Sequence, residues 1–147
     1  MIRTGIILLW IFFVSFGYSQ ITEKKMIQSS DAPKAIGPYS QAILAGNTLY
    51  VSGQIAIIPE TGKMDTLNFE TELRRVLSNL GAVLKEAGMS YDNVVKATIY
   101  TTDLKNYKLI NTIYGEHFRD KPPARETVQV AGLPAGAHVE ISCIAVK

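Results

Sequence analysis

Four polar residues, Tyr39, Ser52, Arg125 and Glu140, each stand at the end of a predicted element, where a side chain is held in place yet open to a ligand. Arg125 opens a predicted strand just after Pro122 and Pro123, whose rings hold the preceding chain extended. An arginine so placed offers a rigid fork that fits a carboxylate, and it would serve equally as half of a structural salt bridge. Glu140 sits between Val139 and Ile141, so alternation turns its side chain to the opposite face of the strand. There it is either a general acid/base or one member of an ion pair, with Arg125 as a possible partner. Ser52-Gly53 closes an apolar strand, where a hydroxyl and a backbone N–H either contact a ligand or form a turn.

The rest of the inventory is exclusion. The chain has no GxSxG elbow, no phosphate-cradling glycine loop, no CxxC pair and no HExxH helix. The lone cysteine, Cys143, rules out an internal disulfide and reads as core packing. His117 and His138 read as surface or capping residues, and no spacing of metal ligands or cofactor motif is present. Fifteen basic against thirteen acidic residues give a net charge of +2, which argues against a nucleic-acid protein working through a broad basic face.

Positioning these residues takes a fold, and the first stretch does not belong to it. Residues 1–19 carry Arg3 as their one charge and an unbroken apolar run of nine residues from Ile6 to Val14. Such a run falls short of the roughly 20 residues that span a bilayer. A basic start, a short apolar core and a small-residue junction are the layout of a secretory signal peptide, with cleavage expected near Ser19–Gln20. An exported, untethered product would lose Trp10, its sole tryptophan. Residues 20–147 then read as a single domain, with Gln20–Ser30 fraying before the fold begins.

Within that domain, Ala42–Ile58 predicts a β-hairpin about Gly46-Asn47. Phe69, Leu73, Val76, Leu80, Val83 and Ala87 recur at helical spacing, with Gly88 as the stop. Arg74, Arg75 and Lys85 fall on the solvated face of that helix. Val94–Thr102 reads as a strand and 104–118 as a second helix with Leu109, Ile113 and Phe118 in the core. Arg125–Ala131 and His138–Val146 read as a closing pair of strands. The expected architecture is two helices on one face of a mixed sheet of four or five strands. Its other face is left open. Because Ile144 and Val146 oppose Ile141 and Cys143 on the last strand, that open face is apolar at one end and calls for self-association.

The motifs IGPYSQA (36–42), LYVSGQI (49–55) and PPARETVQVAGLPAGAHVEISCIAV (122–146), in this order, resemble the Rid family of reactive intermediate deaminases, also called the YjgF or L-PSP family. The resemblance covers residues 26–147. It implies a chorismate-mutase-like α/β (α+β) fold assembled as a homotrimer, with sites in the clefts between subunits and no cofactor. It further implies that Arg125 binds the substrate carboxylate and that Glu140 directs water and protons. Tyr39 and Ser52 would line the pocket, Gly53 would offer its N–H, and Asn111 would supply a further pocket contact. Two positions depart from the family pattern: Glu126, expected by alternation to point away from Arg125, and Thr127, where many members have cysteine. At Thr127 a contact through the backbone survives the change. The implied reaction is hydrolysis of a small enamine or imine acid, such as 2-aminoacrylate, to a 2-keto acid and ammonia. A ligand-binding protein without turnover and an endoribonuclease are the alternatives, the latter weakly supported by the near-neutral charge.

Overall fold

The apolar stripe at helical spacing folds as α1 (Phe69–Glu86) in the computed structural model, which describes residues 23–147. The expected leader at 1–19 and its cleavage junction lie outside the described residues. Asn68 caps α1 by accepting the Thr71 N–H at 2.9 Å, and Gly88, at φ +68°, takes the left-handed turn that ends it. Leu73, Val76, Leu80 and Val83 are fully buried, as the spacing requires. Arg74 and Arg75 lie off the stripe: Arg74 bridges Glu70 and Glu116, and Arg75 faces Asp65.

Six strands form one sheet in the order β1-β2-β3-β6-β4-β5, where β1 is Lys24–Ile27, β2 Ala42–Ala45, β3 Thr48–Gln54, β4 Val94–Thr101, β5 Ala124–Gln129 and β6 Val139–Val146. All neighbours are antiparallel except β4 and β5. The expected hairpin is present, with Ala45 opposite Thr48 and Gly46 at φ +61° in the two-residue turn. The second helix is shorter than its pattern: a 3-10 turn over Leu104–Asn106 leads into α2 (Tyr107–His117). Ile110, Ile113, Tyr114 and Phe118 are buried beneath it, whereas Leu109 is only partly so. The two helices lie side by side on one face.

Three expectations are corrected. The sheet has six strands rather than four or five. The extra strand is β1, within the stretch expected to fray. Pairing with β2 satisfies its backbone, and Gln41 anchors the chain beyond it by accepting the Ser29 N–H at 2.6 Å and donating to the Pro33 carbonyl at 2.7 Å. The last two strands do not pair with each other. β6, apolar on both faces, enters the sheet centre between β3 and β4, while β5 (ARETVQ) takes the edge where its polar residues meet water.

This order decides where the chemistry goes. Leu49, Val51, Ala97, Ile99, Val139, Ile141 and Cys143 face the helices and are buried. Burial pushes the Cys143 thiol up to about 12, so it is inert core. The opposite face carries Tyr50, Ile144 and Val146 on neighbouring strands, with Tyr50 opposite Ile144 and half exposed.

Candidate functional site

The polar residues singled out in the sequence fall into two clusters on opposite faces of the sheet. The first surrounds Glu140. Between Val51 and Gln54 the β3–β6 register slips, so Ser52 and Gly53 have no regular partner across from them. A bulge of this kind bends a strand and re-aims its side chains. Glu140 lies against Gly53, and a β-carbon on residue 53 would come within 1.7 Å of the Glu140 Oε1 atom. The absent side chain is the space that the carboxyl occupies.

A cavity of about 370 Å³ opens here, lined by Ile36, Tyr39, Ser52, Gly53, Ile55, Pro134 and Glu140. That is the scale of a small-molecule site. Burial, with no cation to offset it, holds the Glu140 carboxyl above its ordinary value. Ser52 donates its hydroxyl to the Ser40 carbonyl at 2.7 Å, leaving its lone pairs for a ligand. Tyr39 accepts the Ile36 N–H at 3.3 Å, which folds residues 36–39 into the rim. Behind the wall, the buried amide of Asn79 on α1 donates to the Ile55 and Ile57 carbonyls at 3.0 and 2.9 Å, anchoring the chain just past the bulge.

The second cluster surrounds Arg125. Register sets Arg125 opposite buried Ala97, on the helix side of β5. Its guanidinium donates to Asn111 Oδ1 at 2.7 Å and lies over the rings of Tyr114 (4.9 Å) and Tyr107 (5.9 Å). Tyr107, Asn111 and Tyr114 are four and seven residues apart on α2, which places all three on one helical face. Thr127 follows on the same side of β5, half buried, its hydroxyl without a hydrogen-bond partner. Glu126 points the other way and pairs with Lys96 and Thr98, and the Lys96 ammonium holds its carboxyl below the usual range.

One chain does not bring these clusters together. Glu140 is registered with Tyr100, and Tyr100 with Val128, three residues beyond Arg125 on β5. The two residues are thus separated by about two strand spacings of 4.8 Å and about 10 Å along the strand, on opposite faces. A scaffold bridge between Arg125 and Glu140 within one subunit is excluded. Tyr107 and Tyr114 were missed in the sequence, although their spacing from Asn111 is a helical signal. Ile36, Ile55 and Pro134 were missed for want of any local signal.

The sequence pattern described as Endoribonuclease L-PSP matches residues 29–147. The chain belongs to this family. Relatives at high identity carry the Rid name as well. Reactive Intermediate Deaminase A, chloroplastic, from Arabidopsis thaliana is 46% identical over 134 residues, spanning 90% of this chain and 72% of the relative. The 2-iminobutanoate/2-iminopropanoate deaminase of Bos taurus is 43% identical over 124 residues, spanning 84% of this chain and 90% of its own. A solved structure of a conserved Rid-family protein from Yersinia pestis superposes with a TM-score of 0.82 at 47% identity, over 85% of this chain and all of that one. Fold and family membership thus agree for the L-PSP (Rid) domain.

Proposed function

We propose that this L-PSP (Rid) protein is a deaminase that hydrolyses small enamine and imine acids of the 2-aminoacrylate/2-iminopropanoate class to 2-keto acids and ammonia. The observation that carries this reading is the division of labour between the two clusters. One holds a fixed, always-charged fork for a carboxylate; the other holds a small cavity with a carboxyl poised to take up or release a proton. Relatives named as deaminases of this class support it.

The chemistry needs little else. Arg125, braced by Asn111 and the two tyrosines, fixes the substrate carboxylate and so its orientation. Glu140 accepts a proton from water as its oxygen adds to the imine carbon, and returns one to the nitrogen. The carbinolamine then collapses: Glu140 relays its hydroxyl proton to the nitrogen, the C–N bond breaks, ammonia leaves, and the C=O of the keto acid forms. Gly53 and Ser52 supply polar contacts at the cavity floor.

A complete site then requires the Arg125 cluster of one subunit to meet the Glu140 cavity of another. A homotrimer with the helix-free faces turned inward does this and covers Tyr50, Ile144 and Val146. Export through the leader at 1–19 places the mature protein outside the cytoplasm.

The test is keto-acid release from freshly generated 2-iminopropanoate, with RNA cleavage followed in the same preparation. Accelerated release with intact RNA is the expected result. RNA cleavage without deamination, or carboxylate binding without turnover, would replace the deaminase with one of its rivals.

A further inference from the structure

Glu72 is 1% exposed, making it one of the most deeply buried charged residues among the described residues, and nothing in the proposed chemistry uses it. It sits in the first turn of α1, where the helix dipole favours a carboxylate. A buried carboxylate persists only where it is hydrogen-bonded. Both oxygens of Glu72 are engaged by a single residue: Oε1 accepts the His138 backbone N–H at 2.6 Å, and Oε2 meets the His138 ring Nδ1 at 2.9 Å.

His138 is the residue immediately before β6. Its carbonyl is held in turn by the Thr101 hydroxyl at 3.1 Å and the Thr102 N–H at 3.0 Å, at the end of β4. Upstream lies the turn Pro134–Gly136, with Ala135 at φ +54° and Gly136 at φ +72°, and Pro134 is part of the cavity wall. A non-glycine residue in the left-handed region persists only where its surroundings hold it. Two residues downstream is Glu140. Among the described residues its carboxyl makes no hydrogen bond, so packing against Gly53 and the path of β6 alone aim it.

We propose that Glu72 is a positioning residue for the site: through His138 it clasps the junction between the cavity-lining turn and the start of β6, and so sets where the Glu140 carboxyl lies. The kinetic part of this role rests on the deaminase activity proposed above; the structural part does not. Neither Glu72 nor the His138 ring lines the cavity of about 370 Å³, so each acts through the backbone and not on substrate.

Three variants test the clasp in the full-length assembled protein. Glu72→Leu keeps the volume and apolar packing but removes both acceptors. Glu72→Gln restores both hydrogen bonds in neutral form, its Oε1 accepting the His138 N–H and its Nε2 donating to Nδ1. His138→Ala alters only an exposed ring, 58% accessible, and keeps the backbone bond. Because a misplacement of about 1 Å at a reacting group can cost about 100-fold, Glu72→Leu is expected to lower kcat at least about tenfold with KM unchanged, since Arg125 is untouched. Glu72→Gln should recover kcat to within about twofold, and His138→Ala should fall between them. Amide exchange over residues 134–140 should rise about tenfold in Glu72→Leu while β3 and β4 keep wild-type protection. Wild-type kcat in Glu72→Leu, or a lowered melting temperature as its one defect, would overturn the proposal. If the wild type shows no turnover, the exchange rates decide: local loosening at 134–140 supports the clasp while the deaminase reading fails, and unchanged exchange ends the clasp too.

Discussion

Gly53 and Glu140 share one volume: a methyl group on residue 53 would lie 1.7 Å from Oε1 and 2.6 Å from Cδ of the glutamate. What it meets is the far end of a flexible side chain rather than backbone. Gly53→Ala should therefore fold, displace the carboxyl, and lower kcat by about 100-fold, the usual size of a general acid/base contribution. Its melting temperature should stay within a few degrees of wild type. Unchanged turnover would mean that Glu140 does not need its observed place.

Arg125 should be indispensable in a different way. Arg125→Ala is expected to abolish turnover and keto-acid binding, and Arg125→Lys to retain little, because an ammonium lacks the two-pronged geometry. Asn111→Ala should be milder, raising KM by about 10- to 100-fold through loss of one charged hydrogen bond worth roughly 1.5–3 kcal/mol. Titration with a keto acid alongside steady-state kinetics checks all three.

Tyr114 gives the opposite expectation. Its ring underlies the Arg125 guanidinium, but its hydroxyl is buried without a partner, and burial holds the phenol above its ordinary value. Tyr114→Phe keeps the ring and removes an orphaned polar group. Stability should hold or rise by up to about 1 kcal/mol, with kcat/KM unchanged. A large loss of activity would assign the hydroxyl a role in the reaction.

Glu140 links pH to both activity and stability. Its carboxyl is raised by burial, so folding favours the protonated form. That contribution to stability is full below the unfolded carboxyl's pKa and is lost as pH rises through the folded one. Glu140→Gln should thus match the wild type in melting temperature near pH 4 and exceed it at pH 7. Its turnover should fall by about 100-fold or more. In the wild type, activity that needs the ionised carboxyl should decline on the acid side at a pH above the ordinary carboxylate range. A variant less stable than wild type at pH 7 would mean that a cation pairs with Glu140.

Mixing two inactive subunits tests the shared site directly. If each site takes Arg125 from one subunit and Glu140 from its neighbour, random trimers of Arg125→Ala and Glu140→Gln chains contain intact sites. Equal mixing should restore about a quarter of wild-type activity, and light scattering should give three times the mature mass. No recovery on mixing would mean that Arg125 and Glu140 do not meet in one site across subunits. In the native host the intact mass should lack residues 1–19, and emission should come from tyrosine alone, Trp10 being gone.

Much of this was written locally. The stripe from Leu73 to Val83 specified α1 because burial of one helical face needs that spacing and little else. Gly46 marked the hairpin because few other residues take its φ. Alternation alone turned Glu140 away from Val139 and Ile141, and Glu126 away from Arg125. The motifs around Tyr39, Ser52 and Arg125 carried the family.

What the sequence left open was decided by partners far along the chain. β1 looked too polar to order itself, and it is held by Ala42–Ala45 and the amide of Gln41. Strand adjacency is not a local property, so the last two strands looked like a hairpin. The tertiary structure sent the apolar one to the centre, where both its edges are paired and one face is buried under the helices, and the polar one to the edge, where its side chains meet water. That single choice put Arg125 and Glu140 on opposite faces and ruled out the bridge their charges suggested. It also brought Glu72 to His138 across 66 residues, a contact between a helix and the start of the strand it packs on that no spacing in the chain announces.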